Sequence, residues 1–199
     1  AVSSEIYKHA SEETLRELPP AEIWSDYYLG GYGVERPQLE PMAEELSFLY
    51  DYERVKLMRR DGLRETMEEL RAMGLRLGII SNIISTSLVP HLLKEYGLDG
   101  FMECQVMSSV CGVRKPSPEI FRIAEREMGL GPDELAYVGD TISRDVRGAR
   151  NAGWRLMIQI RNPAAAHRDR GLENCGCRPD YLIDSLREIP EIIRRERET

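Results

Sequence analysis

The 199-residue sequence has few cysteines, no long apolar run and no excess of basic residues. Its four cysteines lack the close, regular spacing of a small disulfide-stapled domain, which favours a reduced state. Apolar runs such as LGII at 77–80 are far shorter than the about 20 residues that span a bilayer, and no charged-then-apolar leader is visible. We therefore expect a cytoplasmic protein that folds without disulfides and does not enter a membrane.

The charge balance excludes another class of protein. The chain has 27 Lys and Arg residues against 34 Asp and Glu, a net charge of −7, and both signs are mixed along most of its length. General nucleic-acid binders and binders of anionic membranes present a basic face instead. We expect neither kind of partner, whereas a homodimer is compatible with this composition.

The pattern of apolar residues changes partway along the chain. Residues 4–50 are helical in pattern, with breaks at LPP (18–20), LGGYG (29–33) and RPQLEP (36–41). After residue 60, strand-like segments alternate with amphipathic helices. The predicted strands are LRLGIIS (75–81), MECQVMSS (102–109), LAYVGD (135–140), RLMIQI (155–160) and DYLID (180–184).

This alternation predicts an α/β fold of the Rossmann-like, three-layer kind, in which helices cover both faces of a parallel sheet. We expect a small helical domain at residues 1–54 and the α/β domain at 55–199. In parallel sheets of this kind, the site lies at the carboxyl ends of the strands.

Polar residues follow two of these strands. Ser81 and Asn82 end the first one and offer a hydroxyl and an amide to an oxyanion. Lys115 follows the second in a loop, where Pro116 favours an extended backbone that gives the ammonium a direction. Taken singly, these residues are also typical of a helix cap, a turn and a solvated charge.

Two carboxylates stand close together in sequence after the third strand. Asp140 ends VGD, and Asp145 falls in the first turn of the next helix. Mg²⁺ accepts one or two carboxylates and leaves positions for a phosphate, so the pair predicts a magnesium site. The alternative is that Asp145 caps its own helix. Cys175 and Cys177 with the distant His167 form a much weaker zinc pattern.

Together these features resemble a known family. LGIISN, GVRKPSPEIF and VGDTISRDVRGARNAGW look like motifs two, three and four of the haloacid dehalogenase-like hydrolases. Their order and spacing match from about residue 55 onward. Residues 1–50 resemble the helical cap that such enzymes insert after their first strand.

The resemblance implies a role for each matching residue. Ser81 would hydrogen-bond the transferring phosphoryl group and Asn82 would shape that turn. Lys115 would neutralise the charge of the phosphoryl group and the nucleophile. Asp140 would ligate Mg²⁺, and Asp145 would support the metal directly or through water. The Gly-Asp…Asp form of the fourth motif is similar to that of Mg²⁺-dependent phosphatases rather than of metal-independent dehalogenases.

One part of the family pattern is missing. The family's nucleophile is an aspartate in an Asp-x-Asp motif, at the end of a strand that lies in the middle of the sheet. The nearest look-alike is Asp51 in FLYDYERV, but its second acid is Glu53 and it falls where the cap rejoins the core. Asp26 follows no predicted strand, and Ser81 has no histidine nearby in sequence to activate it. We expect the nucleophile and its strand to precede residue 1, unless a second copy fills the slot.

The hypothesis from sequence is a Mg²⁺-dependent phosphomonoester hydrolase that acts on a small phosphorylated metabolite through an aspartyl-phosphate. One alternative is a catalytically inactive binding or regulatory protein, with the aromatic stretch IWSDYYLGGYG (23–33) either facing a partner or forming core. The other alternative is a metal-independent 2-haloacid dehalogenase.

Overall fold

The computed structural model describes residues 2–55, 59–172 and 176–198. The chain divides into two compact units, each built from several stretches. The first unit comprises Ala1–Met58, Ile79–Asp99 and Gln105–Lys115, and the second comprises Arg59–Gly78, Gly100–Cys104 and Pro116–Thr199. The domain boundary expected after residue 54 stays a prediction.

The N-terminal part is helical, as the sequence predicts. Its α-helices are α1 (Val2–Thr14), α2 (Pro20–Glu22), α3 (Arg36–Leu39) and α4 (Ala43–Val55), with a π-helix at Ile23–Tyr28 and 3₁₀ turns at Gly30–Tyr32 and Glu40–Met42. The predicted breaks at 18–20 and 29–33 interrupt the α-helices at prolines and glycines. The break predicted at 36–41 is wrong, because that stretch forms α3 and the 3₁₀ turn after it, with its prolines in the first turn of each. No strand element occurs within residues 2–55; Arg16 makes one isolated bridge.

The rest of the chain alternates between strands and helices. The strands are β1 (Leu77–Ser81), β2 (Met102–Met107), β3 (Ala136–Gly139), β4 (Leu156–Ile160) and β5 (Tyr181–Ile183). The helices are α5 (Leu63–Ala72), α6 (Leu88–Glu95), α7 (Ser108–Cys111), α8 (Pro118–Met128), α9 (Arg147–Ala152) and α10 (Ile189–Glu198). A π-helix at Ile142–Val146 precedes α9, and short 3₁₀ turns lie at Pro132–Glu134, Ala166–Asp169 and Leu186–Glu188. All five predicted strands are confirmed, each one to two residues shorter at one or both ends.

The strands of the described residues form two sheets. One has the order β1-β2 and the other the order β3-β4-β5. Strand β4 pairs in parallel with both neighbours, with Val138 opposite Ile158 and Ile158 opposite Tyr181. The expected α/β fold with parallel strands is confirmed. None of the helices in the described part of the chain has the length and apolarity needed to cross a membrane.

Each unit has an apolar core of its own. In the first unit, Tyr27, Tyr28 and Tyr50 pack against the buried Tyr7 and Ile23. The aromatic stretch around residues 23–33 therefore contributes to core packing, although Tyr32 is 78% exposed. In the second unit, one core cluster contains Leu70, Leu156, Ile158, Ile160, Ile183, Leu186, Ile189, Ile192 and Ile193.

Candidate active site

The carboxyl end of β1 and the loop before Pro116 meet within the first unit. The Asn82 side chain pairs with the backbone of Lys115 in both directions: Nδ2 donates to the Lys115 carbonyl at 3.0 Å, and the Lys115 amide donates to Oδ1 at 2.8 Å. The Lys115 ammonium donates to the carbonyl of Ile80 at 3.2 Å. The half-buried Ser81 hydroxyl makes no hydrogen bond within the described residues. The structure therefore brings Ser81, Asn82 and Lys115 together.

Two acidic residues of α4 hold the loop that follows Asn82. Asp51 is fully buried, and its Oδ2 accepts hydrogen bonds from the amides of Ile84 and Ser85, both at 3.0 Å. Glu44 Oε1 accepts from the amide of Ser87 at 3.0 Å. Asp51 lies inside a helix rather than at the end of a strand, and its carboxylate anchors backbone amides.

The environment of Glu44 shifts its pKa. Burial acts to raise the pKa of this carboxyl, but hydrogen bonds from Ser87, Thr86 and Ser85 outweigh burial and hold the pKa below its usual 4.5. The Glu44 carboxylate also lies at the amino-terminal end of α6, where it interacts favourably with the helix dipole.

In the second unit, Asp145 is buried beneath the turn that follows β3. Its Oδ2 accepts from the amide and the hydroxyl of Thr141, at 3.0 and 2.6 Å, and from the amide of Asp140 at 3.3 Å. Its Oδ1 accepts from the Tyr137 hydroxyl at 3.2 Å. A carboxylate with this many donors orders the turn that presents Asp140.

The local backbone makes room for this contact. A β-carbon on Gly139 would lie 2.4 Å from Cβ of Asp145, so only glycine fits there. The amides of Asp145 and Val146 both donate to the carbonyl of Thr141 at 3.1 Å, which widens the first turn into a π-helix. The widened turn directs the Asp145 side chain back toward residues 139–141.

Two residues that the sequence analysis did not select complete this turn. Asn162 Nδ2 donates to Asp140 Oδ2 at 2.5 Å. Asp169 accepts from the amides of Ile142 and Ser143 at 2.7 and 2.9 Å. Asn162 follows β4 as Asn82 follows β1, so its place at a strand end was a usable signal. Asp169 ends the short 3₁₀ turn Ala166–Asp169 and follows no strand directly, so the sequence carried no comparable sign.

The carboxylate oxygens of Asp140 are suited to binding magnesium. Within the described residues, Asp140 Oδ1 receives no hydrogen bond, and carboxylate oxygen is a ligand that Mg²⁺ prefers. No group of three or more His, Cys, Asp or Glu side chains in the described part of the chain could hold a metal, but Mg²⁺ needs only one or two carboxylates. Among the residues of the alternative zinc pattern, Cys175 lies outside the described residues and His167 is exposed.

The sequence profile of the haloacid dehalogenase-like hydrolases matches residues 4–153, a span that contains all five of the predicted site residues. The chain belongs to this family. A glyceraldehyde 3-phosphate phosphatase of Methanopyrus kandleri is 35% identical over 129 residues, which are 65% of this chain and 54% of that protein. A phosphoserine phosphatase of Thermus thermophilus is 34% identical over 153 residues, 74% of this chain and 56% of that protein.

A solved family structure supports the fold assignment. The 2-haloacid dehalogenase of Pseudomonas syringae pv. Tomato superposes with a TM-score of 0.68 at 21% identity, covering 98% of this chain and 79% of that one. This hydrolase-family chain spans about half the length of the two phosphatase relatives. The profile match assigns the family, and the superposition supports the fold.

Proposed function

We propose that the complete protein is a Mg²⁺-dependent phosphomonoester hydrolase that acts on a small phosphorylated metabolite through an aspartyl-phosphate. The attacking aspartate would lie on chain that precedes residue 1. The observation that carries this proposal is the Asn82 pairing, which holds Lys115 with its ammonium against the carbonyl of Ile80, one residue before Ser81. The phosphatase names of the two relatives support it further.

The residues of the first unit supply charge and direction. Phosphoryl transfer depends mainly on positioning and on neutralising the negative charge of the phosphoryl oxygens. The Lys115 ammonium provides the positive charge, and the Ser81 hydroxyl provides a hydrogen bond to the same group. Asn82 fixes the loop of Lys115 and so sets the direction of the ammonium.

The residues of the second unit are suited to the metal. Asp140 would hold Mg²⁺ through its carboxylate, and Asn162 orients that carboxylate by donating to Oδ2. Asp145 keeps the turn in shape through its bonds to Thr141. When bound, Mg²⁺ adds positive charge that stabilises the transferring phosphoryl group. We further propose a cytoplasmic location, since Cys104 carries a free thiol.

The test is phosphate release by the complete protein from a panel of small phosphomonoesters, with Mg²⁺ and with a chelator. Asp140→Ala should reduce Mg²⁺-dependent turnover by roughly 10³-fold or more, since it removes the principal metal ligand. Asp133→Ala, at an exposed position of the same unit, serves as the matched control and should leave turnover unchanged.

Three outcomes would contradict the proposal. Turnover retained by Asp140→Ala would remove the metal assignment. Halide release from a 2-haloacid that persists with a chelator would favour a dehalogenase, the reaction named for the neighbour from Pseudomonas syringae. Absence of any hydrolysis would favour the binding-protein hypothesis.

A further inference from the structure

A buried carboxylate outside the motifs lies at the centre of a polar network in the first unit. The side chain of Glu17 is 0% exposed. Its Oε1 accepts a hydrogen bond from the hydroxyl of Tyr7, and its Oε2 accepts from Ser108 Oγ at 2.6 Å and from Nη1 of Arg114. Burying a carboxylate is costly unless charged or polar partners compensate it, so these three contacts specify where Glu17 can lie.

Arg114 depends on Glu17 in turn. Its side chain is 9% exposed, and its Nε has no hydrogen-bond partner in the described part of the chain. The Glu17 carboxylate is thus the group that compensates the buried guanidinium. Because Arg114 directly precedes Lys115, fixing its side chain restrains the backbone from which the Lys115 ammonium extends.

The backbones of the two segments are paired as well. The Glu17 amide donates to the carbonyl of Gly112 at 3.0 Å, and the Arg114 amide donates to the carbonyl of Leu15 at 2.9 Å. Leu15 has a φ of 55°, the only positive φ of a non-glycine residue among those described. Leucine is unfavourable in this left-handed conformation, so the surrounding contacts must hold it there.

Ser108 connects Glu17 to the other loop of the candidate site. The hydroxyl of Ser108 is buried, gives its hydrogen to the Glu17 carboxylate and accepts from the amide of Ile83 at 2.9 Å. Ile83 directly follows Asn82, whose side chain pairs with the backbone of Lys115.

The contacts therefore form a closed ring. It passes from Glu17 to Arg114, along the chain to Lys115, across to Asn82, along the chain to Ile83, and back through Ser108 to Glu17. A closed ring restrains both loops more strongly than separate contacts, because moving either loop breaks more than one bond.

We propose that Glu17 is a positioning residue that aligns Lys115 with Asn82. The purpose of this alignment rests on the proposed function, in which Lys115 meets the phosphoryl group. The alignment itself is a property of the folded chain and can be measured without catalysis.

The four lysines of the sequence, at positions 8, 56, 94 and 115, allow a direct measurement. Trace acetylation of the complete protein with acetic anhydride, followed by mass spectrometry, reports the reactivity of each amine. Lys8 and Lys94 serve as internal references on the surface of the first unit. In the native protein, Lys115 should react more slowly than both, since its ammonium donates to Ile80.

Glu17→Gln should raise the reactivity of Lys115 relative to Lys94 by roughly fivefold, the effect expected from loss of one net hydrogen bond in the ring. Glu13→Gln, whose side chain is 74% exposed on α1, is the matched control and should change nothing. A rise confined to Lys115 indicates positioning. A parallel rise at Lys8 and Lys94 would indicate general loosening of the fold and would overturn the proposal, as would an unchanged ratio.

A second pair of variants covers the case in which Glu17→Gln does not fold. Ser108→Ala breaks the ring without leaving a buried charge unpaired, and it should raise the Lys115 ratio by about threefold. Tyr7→Phe removes a hydrogen bond to the Glu17 carboxylate that is not part of the ring. The reactivity of Lys115 relative to Lys94 should therefore change by less than about twofold. Equal effects of the two variants would contradict the ring.

These results are independent of the proposed function. If the complete protein releases no phosphate but Glu17→Gln still raises Lys115 reactivity alone, the hydrolase assignment fails and the positioning role stands. If phosphate is released but Glu17→Gln leaves the reactivity of Lys115 relative to Lys94 unchanged, the hydrolase assignment stands and the positioning role fails.

Discussion

The turn around Asp140 and the loops around Lys115 are held by different kinds of contact. Asp145 lies within eight residues of the donors that it binds, so that turn is held largely by its own segment. Lys115 is held by Asn82, which is 33 residues away in sequence. A local arrangement forms with little loss of chain entropy, whereas a distant one depends on the rest of its unit.

The comparison implies that the two regions should fail differently. Loss of a key residue in the turn should disturb that segment directly. Loss of a distant anchor should release the loop that it holds, although no residue of that loop has changed. The following substitutions test this difference in order of decreasing effect.

Asp145→Ala should have the largest effect on stability. The substitution leaves the buried amide and hydroxyl of Thr141 and the hydroxyl of Tyr137 without their acceptor, which costs about 4 kcal/mol of unfolding free energy. Urea denaturation measures this loss. The exposed control Asp133→Ala should change stability by less than about 0.5 kcal/mol. A loss as small as that of the control would show that the turn does not depend on Asp145.

Asp51→Ala should have a smaller but clear effect on the other region. It removes the acceptor of the Ile84 and Ser85 amides, at a cost of about 2 to 3 kcal/mol. Hydrogen exchange should localise the change, with faster exchange at residues 84 and 85. Glu53→Ala, exposed on the same helix, is the control. Unchanged exchange at these amides would contradict the anchoring role.

These two carboxylates also show what the sequence could reveal. The five strands, the helical N-terminal part and the residues at the strand ends were all predictable, because apolar periodicity and strand-end polar residues are local features. Gly139 beside Asp145 belongs to this local class. Asp51, in contrast, was considered only as a look-alike of the nucleophile, and nothing in its neighbours indicated that it binds amides 33 and 34 residues away.

Glu17 and Asp169 are further cases of the same limit. Glu17 contacts Ser108 and Arg114, which are 91 and 97 residues away, and Asp169 binds amides 26 and 27 residues away. Such partners are set by the folded backbone, and a single acidic residue in the sequence carries no sign of them. Asn162 is intermediate, because its place after β4 was visible although its partner Asp140 was not.

Asn162→Ala should affect metal binding more than stability. Its amide is half-buried, so its loss should cost about 1 kcal/mol or less of unfolding free energy. Loss of the bond that orients Asp140 should weaken Mg²⁺ affinity in the complete protein by roughly 10-fold or more. Titration with Mn²⁺ in place of Mg²⁺, followed by electron paramagnetic resonance, measures the metal affinity. Asn151→Ala, exposed on α9, is the control; equal affinities of the two variants would show that Asn162 does not orient the ligand.

Glu44→Gln should have the smallest effect, and the effect should depend on pH. Because hydrogen bonds from Ser87, Thr86 and Ser85 outweigh burial and hold the folded-state pKa of Glu44 below 4.5, the carboxylate contributes its full stabilisation above that pH. The contribution is lost as the pH falls through the folded-state pKa. The native protein should therefore be slightly more stable than the variant at pH 7, and the difference should disappear in acid.

Thermal unfolding from pH 7 down to pH 3 measures this dependence, with Glu45→Gln as the exposed neighbouring control. A stability difference that stays constant over the whole range would show that the ionised carboxylate is not what holds the amides of residues 86 and 87. A difference that fades in acid would show that the ionised Glu44 carboxylate holds these amides. It would show that the loop after Asn82 is held by charge from a distant helix, whereas the turn after Gly139 is ordered mainly by a carboxylate of its own segment.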